Sequence, residues 1–211
     1  MAVVAIASRR RTQEERSTST RGRILEAALA CLAELGYAGT TTIVVAERAG
    51  VSRGAQLHHF PTRASLISAT VQYLFTQLTA AYATAFARVA PGSDRVAAGV
   101  DLLWEIFQDP RLTAVLELYV AARTDNELRR ELLPIAARHH ENVLRLARGY
   151  FPEAAAANPR FAELLHVVID ALQGLAVRRL VTARPKTLAS TVALVKNIAR
   201  RALAAGRHAR E

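Results

Sequence analysis

The chain should fold as an all-α protein, and three observations carry that expectation. Of its 211 residues 51% are hydrophobic and only 6% aromatic, so the core must be built mainly from Ala, Leu and Val. Ala and Leu are strong helix formers that lose little side-chain entropy on entering a helix. Apolar residues recur at spacings of three and four, the period of one helix face. Seven prolines and ten glycines fall mostly between these periodic stretches. Nine helices are expected and no strand.

Residues 1–18 are rich in Arg, Ser and Thr without periodicity and are expected to form a disordered basic arm. Helical phase begins near Thr20, where Ile24, Leu25, Ala28, Leu29, Leu32 and Leu35 line one face. Gly36 follows, where a left-handed residue ends a helix. Two short helices are expected over Thr42–Ala49 and Arg53–His59, with Gly50 for the turn and Ser52 as N-cap. Thr62 can cap a long helix from Arg63 to about Val89. Pro91-Gly92-Ser93 then separates it from a helix bearing Val96, Val100, Leu103 and Phe107. Asp109-Pro110 opens a helix reaching about Arg123. Asp125 caps the next, of about 25 residues, with Pro134 expected to kink it. Asn158-Pro159 reads as a cap followed by a first-turn proline, starting a helix that reaches about Val181. Pro185 opens the last helix, expected to end near Gly206.

The formal net charge is +10, which favours a polyanionic partner. Its distribution is uneven. Residues 1–23 hold six Arg against two Glu, whereas residues 24–63 balance three Arg against three Glu. The lone Cys31 can form no internal disulfide and no multi-thiolate metal site, and beside Leu32 and Leu35 it reads as a buried, inert thiol. The opening apolar run precedes Arg9, Arg10 and Arg11, the reverse of signal-peptide order. The charge-free run Ala64 to Ala87 carries ten Ser, Thr, Gln or Tyr residues, so it reads as an amphipathic helix rather than a membrane span. A cytoplasmic protein with no membrane partner is expected.

Three short helices with a glycine turn between the second and third describe a helix-turn-helix. Ala46 must be small so that the helices cross closely, and Val45, Ala49 and Val51 must bury beneath the turn. The third helix must then present short polar and basic groups to the major groove, where base edges are legible. Ser52, Arg53, Gly54, Ala55, Gln56 and His58 supply them, and the Ala55 methyl suits contact with a thymine methyl.

Thr-Arg-Gly-Arg-Ile-Leu-Glu-Ala-Ala-Leu from Thr20, Gly36-Tyr37 and Thr40-Thr41 resemble the amino-terminal domain of the tetracycline-repressor (TetR) family. So do Ala46-Glu47-Arg48-Ala49-Gly50-Val51-Ser52-Arg53-Gly54 and His58-His59-Phe60-Pro61-Thr62-Arg63. The resemblance implies a DNA-binding domain over residues 19–78, with its motif at 41–60, and an effector-binding and dimerisation domain over 79–211. It implies a homodimeric repressor on double-stranded operator DNA, released when an unidentified small-molecule effector binds and parts the recognition helices. No cofactor or metal is implied. Carried onto this chain, Thr41, Ser52, His59 and Arg63 match phosphate-contacting positions, and Arg53 and Gly54 match base-facing ones.

Two departures stand out. The family shows Leu-Tyr where this chain has Gln56-Leu57, so a phosphate-contacting Tyr is missing. Leu57 is expected to take over the packing while Gln56 turns outward, where its amide can pair with adenine N6 and N7; the alternative has Gln56 packing its stem inward. Val44 replaces an acidic residue that would close a capping box. The amino-terminal arginines suit a minor-groove or phosphate-tracking arm, and equally a solvated tail.

The last two helices are the expected dimer interface. Leu165, Val168, Leu172 and Leu175 form a wide stripe with Gly174 allowing close approach, and Val192, Leu194, Val195 and Ile198 leave the final helix apolar on more than one side. Two-fold symmetry then predicts a palindromic operator. Trp104, Phe107 and Tyr119, with His139, His140, His166 and Asp170, are the candidate effector contacts, suiting a largely apolar or aromatic ligand. Enzymes are disfavoured: His139-His140-Glu141 lacks the i, i+4 spacing of a helical metal site, and no phosphate loop or nucleophile elbow occurs. A basic adaptor or membrane-surface protein is a further rival, and sequence leaves activation open beside repression.

Overall fold

The computed structural model describes residues 13–90, 93–181 and 185–208, with side chains from Ser17 through Leu203 inside those ranges. The described residues form ten helices and no strand. These are α1 (Gln13–Gly39), α2 (Thr42–Ala49), α3 (Arg53–His59), α4 (Arg63–Ala87), α5 (Arg95–Phe107), α6 (Pro110–Ala121), α7 (Asn126–Tyr150), α8 (Pro152–Ala157), α9 (Phe161–Val181) and α10 (Pro185–His208).

Side-chain caps set most boundaries. Thr41, Ser52, Thr62, Asp94, Asp109 and Asp125 each accept a backbone N–H in the first turn of the helix they precede. Thr62 and Ser65 close a full capping box at the start of α4.

Three expectations need correction. Helix α1 starts at Gln13, so residues 13–18 of the expected disordered arm are helical. Residues 1–12, with Arg9, Arg10 and Arg11, lie outside the described residues. An unexpected tenth helix, α8, forms because Pro152 suits the first turn and four alanines follow it. Asn158 therefore ends α8, its N–H bonded to Ala154 O. Its amide Oδ1 accepts from Arg160 N at 2.9 Å and its Nδ2 donates to Ala202 O at 3.0 Å, ahead of α9. Helix α10 runs on to His208, past Gly206.

Two apolar clusters share α1 and α4. The smaller gathers Ile24, Leu25, Ala28 and Cys31 of α1, Val45 and Ala49 of α2, Phe60, and Leu66 of α4. The larger joins Leu29 and Leu32 of α1 to Ile67, Val71 and Leu74 of α4, and to α5, α6, α7, α9 and α10. Each fully buried Leu or Ile contributes roughly 1.5–3 kcal/mol relative to exposure. Because α1 and α4 contribute to both clusters, α2 and α3 are seated on helices that are themselves part of the larger core.

Gly36 bends the end of α1, but not in the left-handed helical cap expected. Its φ of 67° and ψ of −177° lie in a region open essentially to glycine alone. An added Cβ would stand 3.0 Å from Glu117 Oε2. Gly36→Ala should therefore lower the free energy of urea unfolding by about 1–3 kcal/mol. Gly22→Ala, inside α1 with open space at the Cβ, should raise it by about 0.5–1 kcal/mol.

Candidate functional site

The helix-turn-helix is built from local chemistry. Thr41 Oγ1 accepts from Val44 N at 3.2 Å, so α2 is capped although the acidic capping-box partner is absent. Gly50 ends α2 in the left-handed conformation (φ 62°, ψ 41°), and Val51 N donates back to Ala46 O at 3.0 Å. Arg23 closes the remaining carbonyls, its Nη2 donating to Ala49 O at 2.6 Å and Gly50 O at 3.1 Å. Ser52 Oγ accepts from Ala55 N at 3.1 Å and starts α3. Val45, Ala46 and Ala49 are buried and Val51 is half-buried under the turn.

Helix α3 divides sharply by side. Ser52, Arg53, Gly54, Leu57 and His58 are exposed, Ala55 and His59 half-buried, Gln56 and Phe60 buried. The expected outward turn of Gln56 is not found: Gln56 is 1% exposed and Leu57 39%. Ser52 fixes the start of the helix and Phe60 is anchored in the core, so Gln56, one turn before Phe60, faces inward with it. Its Oε1 and Nε2 are both buried without a hydrogen-bond partner. The outward strip is Arg53, Gly54, Leu57 and His58, spaced to face one groove. Burial first, and then His58 and Arg21, push the His59 imidazole below its ordinary range, which favours a neutral donor over a cation.

Arg63 is half-buried, and its guanidinium bonds within the chain: Nε donates to Thr40 O at 2.9 Å, Nη2 donates to Tyr37 O, and the group lies 4.0 Å over the Tyr37 ring. Tyr37 O also accepts from Thr40 N at 3.2 Å, so Arg63 adds a second donor there and supplies one to Thr40 O. Thr41 and Ser52 remain exposed at the ends of α2 and α3.

Tyr37 ties this corner to the larger core. Its N–H donates to Glu117 Oε1 of α6 at 2.9 Å, and its hydroxyl donates to Asp125 Oδ2 at 2.8 Å. Asp125 also caps α7 through Leu128 N at 2.9 Å. That backbone bond, followed by the Tyr37 hydroxyl, holds the Asp125 carboxyl below its usual range. Burial and then Asp125 raise the Tyr37 phenol. Asp125 was legible only as a cap; its role as a tether carried no sequence signal.

A cavity of about 380 Å³ lies among α4, α5, α6, α7 and α9. Phe107, Tyr119, His139, His140, His166 and Asp170 line it, and Trp104 does not. Leu103, Ile106 and Phe107 take the inward positions of α5, leaving Trp104 half-buried against the core on another side. Phe75, Tyr82, Tyr150, Phe151 and Phe161 also line it, and sequence spacing did not single them out as pocket residues. His139 stacks on Phe75 with ring centroids 3.7 Å apart. Burial, then His140, pushes His139 down to about 4, so it is neutral at neutral pH. The rings of His140 and His166 lie 4.2 Å apart, and His166 Nε2 is buried with no partner. Among the described residues no cluster of three or more His, Cys, Asp or Glu could hold a metal ion, and no helix is long and apolar enough to cross a membrane.

The expected interface stripe is largely internal. Val168, Leu172 and Leu175 of α9 and Val192 and Val195 of α10 are buried in the chain's own core, and Leu165 is half-buried beside it. The outward faces carry Val167, Gly174, Val177, Leu180 and Val181 on α9, and Leu194 and Ile198 on α10. Both helices are apolar on two sides, and spacing alone does not say which side meets the core. Gly174, Leu194 and Ile198 are exposed.

Comparison with known proteins agrees with this geometry. The family model described as bacterial regulatory proteins, tetR family, matches residues 24–70. The HTH-type transcriptional regulator CymR of Pseudomonas putida is 36% identical over 172 residues, covering 82% of this chain and 85% of the relative. The HTH-type transcriptional regulator BetI of Brucella canis is 30% identical over 179 residues, covering 84% and 88%. A transcriptional regulator from Rhodococcus sp. Rha1 superposes with a TM-score of 0.67 at 20% identity, covering 86% of this chain and 96% of that one. The multidrug binding protein EbrR, solved with ethidium, superposes at 0.59 with 26% identity, covering 84% and 97%.

The unpaired amide of Gln56 makes a direct forecast. Gln56→Leu should raise the unfolding free energy by about 1–3 kcal/mol, because it removes two buried unsatisfied polar atoms. DNA affinity should stay within about threefold of the parent, as a residue with no exposed atom reads no base. Urea denaturation and a duplex-binding assay check the two halves.

Proposed function

This chain belongs to the TetR family of bacterial regulatory proteins, and from that premise we propose that it is a homodimeric repressor, released from a palindromic operator by a small-molecule effector. The observation that carries the DNA-binding half is the outward strip of α3. Arg53, Gly54, Leu57 and His58 stand exposed on a helix whose start and register are held by Ser52 and Phe60. Arg53 offers a bidentate fork for guanine, Gly54 permits close approach, and His58 offers a ring nitrogen to a base edge or phosphate. Thr41 and Ser52 supply hydroxyls for phosphate oxygens, joined by His59. The protein acts in the cytoplasm, without cofactor or catalysis.

The outward apolar faces of α9 and α10 are the proposed dimer interface, with Gly174 at the crossing and Val177, Val181, Leu194 and Ile198 around it. These side chains stand exposed side by side, and a second copy buries them with two-fold symmetry. The DNA-binding unit spans residues 19–78 and the effector and dimerisation unit 79–211, the boundary falling inside α4.

The cavity is the proposed effector site, and its coupling to DNA runs through Tyr37. Val115 and Tyr119 of α6 line the cavity, and Glu117 between them holds the Tyr37 N–H. A ligand that displaces α6 acts on the same residue whose ring and carbonyl hold Arg63. EbrR, solved with planar aromatic compounds, supports an aromatic ligand here.

Selection of bound duplexes from a random pool tests the reading. The expected product is an inverted repeat with half-site centres about 34–36 Å apart or a multiple of that; recovery of no enriched sequence overturns it. Arg53→Ala should weaken binding to the selected duplex by about 1–3 kcal/mol and relax preference at one position per half-site. Leu194→Asp should shift the protein to monomer in sedimentation and abolish that binding, because a buried unpaired carboxylate is not tolerated at an apolar interface.

A further inference from the structure

The cavity lining is mixed. Its α5 wall is aliphatic and aromatic, its α4 and α6 walls add the hydroxyl-bearing Thr79, Tyr82 and Tyr119, and His139, His140, His166, Asp170 and Gln173 line it where α7 meets α9. Among the described residues no Lys or Arg lines it. Described basic side chains on the surrounding helices are committed or turned away, the half-buried Arg179 being bonded to Gln108. Arg111 is paired with Asp109 at 2.6 Å and Lys196 with Asp101 at 2.8 Å, while Arg138 and Arg145 are exposed. The one carboxylate in the lining is Asp170, at the exposed edge of α9.

Such a lining constrains the charge of an occupant. An anion entering it sheds its hydration and meets no Lys or Arg in return, so its desolvation goes uncompensated. A neutral polar group meets a vacant partner. His166 is a lining residue, and its Nε2 is buried with no hydrogen-bond partner among the described residues, whereas buried polar atoms are ordinarily paired; a turn of the imidazole brings that nitrogen to an occupant. An ammonium or amine has Asp170 one helical turn from His166. Beside these groups the stacked pair of Phe75 and His139 presents an aromatic wall.

Resting on the reading of this cavity as the effector site, we infer that it selects aromatic molecules whose hydrogen-bonding group carries no negative charge, with that group bonded to His166. The imidazole Nε2 donates to it or accepts from it, according to tautomer. Aromatic carboxylates are excluded by the missing cation rather than by shape. His166 is the specificity-determining residue, and Asp170 adds a preference for cations at the rim.

Four probes with one aromatic body separate the possibilities: naphthalene, β-naphthol, β-naphthylmethylammonium and β-naphthoate. Each is titrated calorimetrically into the full-length protein near neutral pH, with the thermal midpoint as a second readout. Naphthol and the ammonium should bind at least about tenfold more tightly than naphthoate, a difference of one unsatisfied buried interaction. His166→Leu should bring naphthol down to the affinity of naphthalene, which is itself unchanged; His166→Gln, which restores a hydrogen-bonding group, should recover most of the loss. Asp170→Asn should weaken the ammonium and leave naphthol alone. Naphthoate binding as tightly as naphthol, or naphthol binding unmoved by both His166 variants, overturns the inference while leaving the cavity as the effector site. Failure of all four probes to bind overturns both.

Discussion

The corner around Tyr37 is the constraint on which the arrangement of this molecule depends. Gly36 turns the end of α1 through a backbone conformation that other residues avoid, and that turn leaves the Tyr37 and Thr40 carbonyls facing Arg63. The guanidinium donates to both and stacks on the Tyr37 ring. The Tyr37 hydroxyl and N–H then reach Asp125 and Glu117, on the far side of the joint. One residue thus meets α4, α6 and the cap of α7 within a single turn of chain. Charge-assisted bonds of this kind are among the stronger ones available to a protein, and a network is stiffer than its members. The position of Thr41, which begins the helix-turn-helix, follows directly from it.

What lies either side of that corner is differently constrained. The reading helix is held by Ser52 at one end and Phe60 at the other, and accepts a buried, unpaired amide at Gln56 between them. Placing an amide where a Leu would pack leaves the motif less stable than its geometry allows. The cavity side is looser: a space of about 380 Å³ interrupts the larger core, and its walls include the segment of α6 that grips Tyr37. A void forgoes packing contacts on all its walls, so whatever fills it strengthens contacts that α6 makes.

Much of this was legible beforehand, for physical reasons. Caps and turns are local, so Ser52, Thr62, Asp109, Asp125 and Gly50 could be placed from short stretches of sequence, and helix spans followed. Side choice is not local. Gln56 and Leu57 are neighbours about 100° apart on a helix, and the general helix-turn-helix pattern set against polarity gave opposite answers; the anchored Phe60 decides it. The same ambiguity affects α9 and α10, which are apolar on two faces; Val168, Leu172 and Val192, read as a docking stripe, are buried in the chain's own core. Arg63 matched a phosphate-binding position by resemblance, and its guanidinium bonds to carbonyls more than twenty residues earlier. Trp104 was chosen for its scarcity, and scarcity says nothing about rotation around α5.

Helix α3 and the cavity walls are joined through Tyr37, and linkage makes such a joint reciprocal: what DNA does to the joint, the cavity must feel. Amide hydrogen exchange, with and without a bound operator duplex, measures this directly. The account predicts slower exchange on duplex binding at α3, at the Tyr37 amide, along α6 around Glu117 and at the Leu128 amide capped by Asp125. Slowing confined to α1, α2 and α3, with α6 and the start of α7 unchanged, would contradict it.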